Sequence, residues 1–401
     1  MSNAAEPERS HDDRWGDYQY DHHGADVIDA PFALWQQLRN ECPVLHSDKY
    51  GGFWFVSPYE AVRQVVTDSR TFSSADGITL PAMPNPSLPA CAQPPLHRKY
   101  RAVINPALSP RAVKRFEPWM RELAREQAVE LRAEGRFNLC DYAESFAKTS
   151  ALRIIGFHEN DLPRLENWAH IILNPEEATA AEREMAGEAV GAFFREALLQ
   201  RAAEEPRDDL LSALVDGTID GRALTLSEQA SLLEQVTFGA LHTTGATIAG
   251  ALAWLADHPE DRLRLREHPE VMVTAADEFV RYVSPVTHLR RVTTTEVDLA
   301  GTVIPEGESV LFGLGSANHD ETVFPDPEEL ILDRFPNRHM GFGSGPHRCA
   351  GSHLARLGVQ VGVEEFLAAI PDFEIEDHAQ LRWEGGEGRA LKYAPVRVTQ
   401  S

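Results

Sequence analysis

The sequence predicts a mainly α-helical protein with small β-sheets. Apolar residues recur at helical spacing in segments 31–40, 111–133, 142–156, 161–173, 180–203 and 269–283. Alternating apolar and polar residues over 51–57 and 292–310 predict short strands instead. The proline-rich segment 77–95 fits neither pattern and is predicted as a long loop, and long loops in compact domains are often functional.

The longest predicted helix starts at Thr225-Leu226-Ser227-Glu228, which offers an N-cap and an acidic first turn, and ends near Asp257. Its residues 236–256 carry no formal charge, and such a length could span a bilayer. The segment also contains His242, four threonines and three glycines. These polar and small residues favour a helix buried in a water-soluble core.

Composition limits the classes of function. The chain has 401 residues, of which 43% are hydrophobic and 25% charged, as in ordinary globular proteins. A net charge of -24 argues against binding to nucleic acid or to an anionic membrane. The four cysteines are far apart and predict no disulfide framework, which is typical of a reducing compartment.

The N-terminus predicts the domain organisation and location. Residues 1–24 are polar, without the basic head and apolar run of a signal peptide. We therefore expect a cytoplasmic protein with a polar N-terminal arm over 1–24 and a single domain over 25–401.

One segment combines a glycine-rich loop, a single cysteine and the predicted start of a helix. Its sequence is Phe342-Gly343-Ser344-Gly345-Pro346-His347-Arg348-Cys349-Ala350-Gly351. Helix-start N–H groups and the helix dipole favour an ionised sulfur, the form that binds metals. Three other interpretations are open: a small buried cysteine, a phosphate loop, or zinc bound with His347 and His353. Pro346 weakens the second, and the absence of paired cysteine motifs weakens the third.

This segment resembles the haem-binding loop of the cytochrome P450 superfamily. The family pattern of Phe, Gly, Cys and Gly is matched by Phe342, Gly345, Cys349 and Gly351. The resemblance implies a haem b cofactor with Cys349 as the thiolate ligand of its iron. It also implies that Phe342 and Gly351 border the cofactor, since Gly351 leaves room for a flat group.

Glu278 and Arg281 stand three residues apart on a predicted helix, so they share one face and can pair. Taken alone, an exposed surface pair of little energetic value is the favoured interpretation. In the P450 superfamily, however, such a Glu-x-x-Arg pair joins an arginine located shortly before the cysteine loop. Arg334 occupies that position, and the resemblance therefore implies a buried structural triad.

Haem carries two propionates, and burying carboxylates requires charged hydrogen-bond donors. The resemblance assigns this role to His97, Arg101, Arg291 and His347. His97 and Arg101 lie on one helical face, although a basic surface face would show the same spacing. Arg290 stays an alternative to Arg291, since a shift of one residue would exchange them.

The long predicted helix contains Gly239-Ala240-Leu241-His242-Thr243-Thr244. This run resembles the family's oxygen-binding segment, in which small residues precede an acid and a threonine. The resemblance implies that Thr243 hydrogen-bonds to oxygen or to a water. His242 replaces the usual acid and is a candidate proton relay near neutral pH. Contact with another partner away from the haem is the alternative.

The resemblance covers nearly all of the chain after residue 24 and implies a triangular-prism fold. Haem would lie between the long distal helix and the proximal helix after the cysteine loop. The implied enzyme is a bacterial-type haem-thiolate monooxygenase, which inserts one atom of O2 into a substrate by hydroxylation, dealkylation or epoxidation. A peroxide-driven peroxygenase and a non-catalytic haem-based sensor or binding protein are the alternatives.

The resemblance also predicts the substrate pocket. Its candidate residues are mostly apolar and favour a small or medium hydrophobic substrate. They are Ile78, Leu80, Met83, Leu173, Phe238, Ala240, Val286 and Leu289.

No flavin or iron–sulfur motif follows Cys349, so electrons are expected from an acidic ferredoxin that a flavoprotein reductase reduces. Basic residues in segments that the resemblance places on the cysteine side of the haem offer a docking face, although ordinary solvated charges would look the same. These residues are Arg98, Lys99, Arg111, Lys114, Arg115, Arg348 and Arg356.

Overall fold

The computed structural model describes residues 15–82, 87–173 and 178–399, except the side chain of Leu173. Helices dominate these ranges, as the sequence predicts. They are α1 (Ala25–Ile28), α2 (Pro31–Glu41), α3 (Tyr59–Thr67), α4 (Leu96–Ile104), α5 (Pro110–Lys114), α6 (Glu117–Glu134), α7 (Leu139–Ile155), α8 (Leu162–Leu173), α9 (Ala180–Ala202), α10 (Leu210–Val215), α11 (Leu226–Leu241), α12 (Thr243–Asp257), α13 (Pro259–Glu267), α14 (Met272–Val283), α15 (Leu314–Asn318) and α16 (Ser352–Ala369).

The strands of the described ranges are short and form small sheets. They are β1 (Val44–Ser47), β2 (Phe53–Val56), β3 (Phe72–Ser73), β4 (Arg136–Asn138), β5 (Thr218–Ile219), β6 (Arg222–Ala223), β7 (His288–Thr293), β8 (Val297–Leu299), β9 (Thr302–Ile304), β10 (Ser309–Gly313), β11 (Phe373–Ile375), β12 (Arg382–Glu384), β13 (Ala390–Tyr393) and β14 (Pro395–Val398). The largest sheet has the order β1-β2-β10-β7-β3, with only β2 and β10 parallel. A second sheet has the order β11-β14-β4. The predicted class, mainly helical with small sheets, is confirmed.

The core is centred on α12, which packs against α7, α14 and α16. Two glycines allow the close approach of these helices. A Cβ at Gly250 would lie 2.6 Å from Val283 Cγ2, and one at Gly362 would lie 2.8 Å from Ile248 Cδ1. Cβ atoms do not approach other atoms this closely, so a side chain at Gly250 or Gly362 would force the packed helices apart.

The helix predicted from Leu226 to Asp257 is broken at His242, whose backbone angles are φ -118° and ψ -36°. The adjacent Thr243 hydroxyl donates to the Gly239 carbonyl at 3.2 Å, and such side-chain bonds compete with the helical ladder. The uncharged segment is thus divided between two helices. Within the described ranges, no helix combines the length and apolarity needed to cross a bilayer.

The helix predicted over 111–133 is also divided, into α5 and α6. Pro118 occupies the first turn of α6. Proline cannot donate a backbone hydrogen bond, so it favours a new helix start over continuation of the preceding helix.

Residues 15–24 differ from the predicted polar arm. Tyr20 and His22 are 0% exposed, and Trp15 is also buried. The Tyr20 ring stacks on Phe55 with centroids 3.8 Å apart, and its hydroxyl lies 2.6 Å from His288 Nε2. Aromatic burial therefore fixes this segment against the main sheet. The rest of the predicted arm, residues 1–14, lies outside the described residues.

Candidate active site

A cavity of about 330 Å³ lies where α4, α7, α11, α12 and β7 approach the cysteine loop. Its volume and mostly apolar walls are typical of small-molecule sites. Many residues predicted from the sequence meet here. Those that line the cavity are Ile78, His97, Arg101, Ala240, Thr243, Val286, Leu289, Arg291, Phe342, His347, Cys349 and Gly351.

The cysteine loop turns tightly before it reaches the cavity. Gly343 and Gly345 have φ values of 64° and 65°, a region that favours glycine. The Cys349 N–H donates to the Phe342 carbonyl at 2.8 Å and closes the loop. Cys349 is surrounded by protein, yet its side chain is accessible because it borders the cavity.

Burial raises the pKa of the Cys349 thiol, while the Gly351 N–H and the positive charge of Arg101 act in the opposite direction. A bound metal would hold such a sulfur as a thiolate. The space beside it is open, since a Cβ at Gly351 would meet only Cys349 Sγ within 4 Å, at 3.9 Å. The loop therefore offers a metal-binding sulfur next to room for a flat group.

Four basic side chains form one border of the cavity. The rings of His97 and His347 have centroids 4.2 Å apart. Burial, then nearby positive charges, lowers the pKa of His97 to about 4 and of His347 to about 3. Burial lowers the pKa of Arg291 to about 10, and its Nη1 donates to the Arg290 carbonyl. Arg101 completes the group, which we call the cationic border.

The cationic border lacks an anionic partner within the part of the chain that the structure describes. None of its four side chains bonds to a carboxylate there. His347 Nε2 is buried and has no hydrogen-bond partner among the same residues. Buried polar atoms are normally satisfied, so the border fits a ligand that brings its own acidic groups.

Strand geometry resolves the choice between Arg290 and Arg291. Successive side chains of a strand point to opposite faces. Arg291 lines the cavity, whereas Arg290 donates to Ser309 Oγ at 3.0 Å and to the Asp76 carbonyl at 2.7 Å. Arg291 is therefore the arginine at the site.

An accessible cysteine sulfur, open space beside it and an uncompensated cationic border fit haem, which is flat and carries two carboxylates. The sequence profile described as cytochrome P450 matches residues 187–378. The biotin biosynthesis cytochrome P450 of Bacillus subtilis is 30% identical over 389 residues, covering 93% of this chain and 97% of that protein. The chain belongs to the cytochrome P450 family.

Other cytochrome P450 proteins support this conclusion. The mycinamicin IV hydroxylase/epoxidase of Micromonospora griseorubida is 33% identical over 346 residues, covering 83% of this chain and 86% of that enzyme. The structure of P450BioI in complex with an acyl carrier protein ligated to hexadec-9Z-enoic acid has a TM-score of 0.83 at 27% identity, covering 94% of this chain and 100% of that chain. The cytochrome P450 fold and monooxygenase class are thus established.

In this cytochrome P450, His242 lies at the break between α11 and α12, and Thr243 is the first residue of α12. Thr243 lines the cavity, but His242 is absent from the described residues that do. Burial lowers the pKa of His242, and the charges of Lys148 and Lys392 lower it further, while Glu144 opposes them. His242 therefore lies near a charged network and is not among the described residues that line the cavity.

The charged network near His242 alternates in sign. Lys148 pairs with Glu144 and Glu166, and Lys392 pairs with Glu144 and Glu384. The separation between Lys392 Nζ and Glu144 Oε1 is 2.8 Å. The network joins α7 to strands β12 and β13, near the break between α11 and α12.

Only some of the residues predicted to form the substrate pocket line the cavity. Ile78, Ala240, Val286 and Leu289 line it. Leu80 instead packs in the cluster around Trp15 and Tyr20, and Phe238 packs against Phe194 with ring centroids 6.0 Å apart. The prediction is therefore wrong for Leu80 and Phe238 as cavity walls. Met83 and the side chain of Leu173 lie outside the described residues.

Several cavity residues were missed by the sequence analysis. They lie mainly on α6, α7 and the second half of α11 and include Met120, Phe146, Ala147, Ala151, Gln235 and Val236. Their only sequence signal is helical spacing of apolar and small residues, which core positions share. Only the tertiary packing of these helices around the cavity distinguishes them from ordinary core residues.

The Glu278, Arg281 and Arg334 side chains meet in the interior. Arg334 Nε lies 3.0 Å from Glu278 Oε1, and all three side chains are buried. Arg281 also donates to the carbonyls of Asn318 and Pro327, which fixes the segment before the cysteine loop. The exposed-pair interpretation is wrong, because each charge has hydrogen-bond partners inside the protein.

Proposed function

We propose that this cytochrome P450 is a haem-thiolate monooxygenase with Cys349 as the axial ligand. The observation that supports it most is the accessible Cys349 sulfur in an open cavity that also has an uncompensated cationic border. When bound, haem supplies dioxygen activation with two electrons, so that one oxygen atom enters an organic substrate and the other leaves as water.

The cationic border binds the two propionates. Arg101 and Arg291 remain positively charged at neutral pH, and the depressed pKa values of His97 and His347 keep these imidazoles neutral. A neutral imidazole can still donate one hydrogen bond to a carboxylate. The buried Nε2 of His347 thereby gains a partner. Phe342 and Gly351 contribute cofactor contact from the cysteine loop.

Thr243 positions a water or dioxygen in the cavity through its hydroxyl. The same hydroxyl donates to the Gly239 carbonyl at 3.2 Å, which orients its lone pairs as acceptors. His242 moves protons between the cavity side of the helix break and the charged network behind it. Its lowered pKa keeps the ring neutral, so that one nitrogen can accept a proton while the other donates.

The substrate is a small or medium hydrophobic molecule. Ile78, Ala240, Val286 and Leu289 give the cavity an apolar wall that excludes water. Gln235 adds a polar group to this wall, although its Oε1 already accepts from Ser87 at 2.5 Å. Hydroxylation, dealkylation and epoxidation all suit such a site, and the mycinamicin relative is named for two of them.

Electrons come from an acidic ferredoxin, which is itself reduced by a flavoprotein reductase. The docking face is narrower than the set of seven basic residues predicted. Lys99, Lys114, Arg115 and Arg356 pair with Asp220, Glu117, Asp208 and Asp277, which offsets their charge. Arg98, Arg111 and Arg348 are exposed and have no ion pair within the described ranges. These three carry the attraction for the ferredoxin.

The proposal is tested by the spectrum of the reduced protein with carbon monoxide. The wild-type chain should show the long-wavelength Soret band of a thiolate haem, and Cys349→Ser should lose it. Cys91→Ser is the matched control, since Cys91 is half-buried outside the cysteine loop. Retention of the band in Cys349→Ser would refute the ligand assignment. Oxidation of substrate with peroxide but not with reductase would favour the peroxygenase, and no turnover with either would favour a sensor.

A further inference from the structure

Two histidines and a glutamate converge outside the cavity, where the N-terminal segment meets a C-terminal loop. His22, His23 and Glu387 each offer one ligand atom, and these atoms lie within 4.8 Å of one another. No other such group of three is found in the described part of the chain. Imidazole nitrogen with carboxylate oxygen is a donor set that suits zinc and related divalent ions.

His22 is the residue that points to a ligand. Its side chain is fully buried, and neither ring nitrogen has a hydrogen-bond partner among residues 15–82, 87–173 and 178–399. Glu387 Oε1 lies 3.9 Å from His22 Nε2, which is within ion-pair range but beyond hydrogen-bond distance. A buried polar group without a partner is costly, so this imidazole requires an explanation.

His288 provides a comparison within the same region. Its ring centroid lies 5.7 Å from that of His22, and it is equally buried. Its Nε2 lies 2.6 Å from the Tyr20 hydroxyl, and its Nδ1 lies 3.0 Å from Thr287 Oγ1. Protein groups therefore partner both ring nitrogens of His288, whereas neither ring nitrogen of His22 has a hydrogen-bond partner among the described residues.

Glu387 is already oriented toward the cluster. Its Oε1 accepts a hydrogen bond from the Leu80 N–H at 3.1 Å. Hydrogen bonds of this kind hold metal-binding carboxylates in place. A tetrahedral ion with bonds of about 2.0–2.1 Å needs ligand atoms about 3.4 Å apart. Small side-chain rotations that draw the three ligands together would close the site.

We propose that His22, His23 and Glu387 bind one divalent cation of the zinc class, with water as the fourth ligand. The ion ties the N-terminal segment to the loop that carries Glu387. The carbonyl of this residue accepts from the N–H groups of Thr287 and His288 at 2.8 and 3.1 Å, at the start of β7. Since β7 also carries Leu289 and Arg291, the ion braces one wall of the cavity. It takes no part in oxygen chemistry.

The test uses the full, untagged, haem-loaded chain after treatment with a chelator. Zinc is added in equilibrium dialysis, and bound zinc is measured by elemental analysis alongside iron. We expect one zinc per chain, with affinity reduced at least tenfold in His22→Gln and in Glu387→Gln. His378→Gln is the matched control, since His378 pairs with Asp257 at 2.8 Å but belongs to no group of three. It should bind zinc as the wild type does.

Thermal unfolding provides a second measurement. Zinc should raise the midpoint of the wild type and of His378→Gln but not of Glu387→Gln, because a ligand bound only to the folded state stabilises it. Equal zinc affinity in the wild type and in both site variants would overturn the proposal. If His22→Gln does not fold, a zinc-soaked wild-type crystal decides: an anomalous peak bonded to His22 supports the site, and a peak elsewhere or none refutes it.

Discussion

Arg281 and Glu278 form a two-point ion pair in the interior, with Nη2–Oε1 and Nε–Oε2 distances of 2.7 and 2.8 Å. Both side chains are 0% exposed. The geometry matters because two buried charges gain from each other only when their remaining hydrogen-bonding capacity is satisfied. The pair meets that condition through Arg334 and backbone carbonyls.

Arg281→Ala should lower the free energy of unfolding by about 3–5 kcal/mol, because Glu278 would remain buried without its partner. Urea denaturation and haem content after purification measure the loss. Arg264→Ala is the control, since Arg264 pairs with Asp333 at the surface, and its loss should cost under about 1 kcal/mol. Similar losses in the two variants would contradict a stabilising buried triad.

Thr243→Ala should leave haem content unchanged but release more hydrogen peroxide per electron pair, because the cavity loses the hydroxyl that we propose positions water or dioxygen. The ratio of peroxide formed to reductant consumed measures this. Thr237→Ala removes the same atoms from a buried threonine of α11 that does not line the cavity, and it should behave as the wild type. Unchanged coupling in Thr243→Ala would rule out this role.

Glu234 should make stability depend on pH. Burial raises the pKa of its carboxyl to about 7, from an ordinary value of 4.5. Between these values the folded state holds a proton that the unfolded state has lost, so stability falls as pH rises. The fall is about 3 kcal/mol, since one pKa unit corresponds to about 1.4 kcal/mol.

Glu234→Gln should therefore stabilise the protein at pH 8 and have little effect below pH 4.5. Denaturation curves across this range, with Glu130→Gln at an exposed position of α6 as control, measure the difference. An equal gain at both ends of the range would show that the charge of Glu234 is not responsible.

The double reversal Arg98→Glu and Arg111→Glu should slow reduction by an acidic ferredoxin about tenfold at low salt, and the difference should shrink as salt screens the charges. Substrate binding should not change. Lys114→Glu with Arg115→Glu alters the net charge equally, but Glu117 and Asp208 already offset these two residues. Stopped-flow reduction that slows equally in both double variants would contradict the narrower docking face.

Local patterns explain why some of the site could be predicted. The residues from Phe342 to Gly351 are contiguous, so the pattern that resembles the haem-binding loop of the P450 superfamily lies in one short stretch of sequence. His97 and Arg101 are likewise linked by helical periodicity. Neither pattern requires knowledge of contacts between distant segments. The structure brings Phe342, Gly351, His97 and Arg101 to one cavity.

Other features depend on contacts between distant segments. The neutralisation of Arg115 by Asp208 joins two residues that are 93 positions apart in the sequence. The burial of Leu80 depends on Trp15 and Tyr20, which composition assigned to a polar arm. The break at His242 coincides with the bond from the Thr243 hydroxyl to the Gly239 carbonyl, in a run that otherwise has helical periodicity. None of these outcomes can be predicted from a local sequence pattern.

The break between α11 and α12 also bears on how the enzyme can diverge. The α11 half packs mainly against α9, α10 and α7, and it supplies Gln235, Val236 and Ala240 to the cavity. The α12 half packs against α7, α14 and α16 at the centre of the core. Substitutions at Gln235, Val236 or Ala240 in α11 therefore change the cavity wall without altering the packing of α12, whereas α12 serves both the cavity, through Thr243, and the core, through Gly250. Selection can act on substrate choice without rebuilding the scaffold.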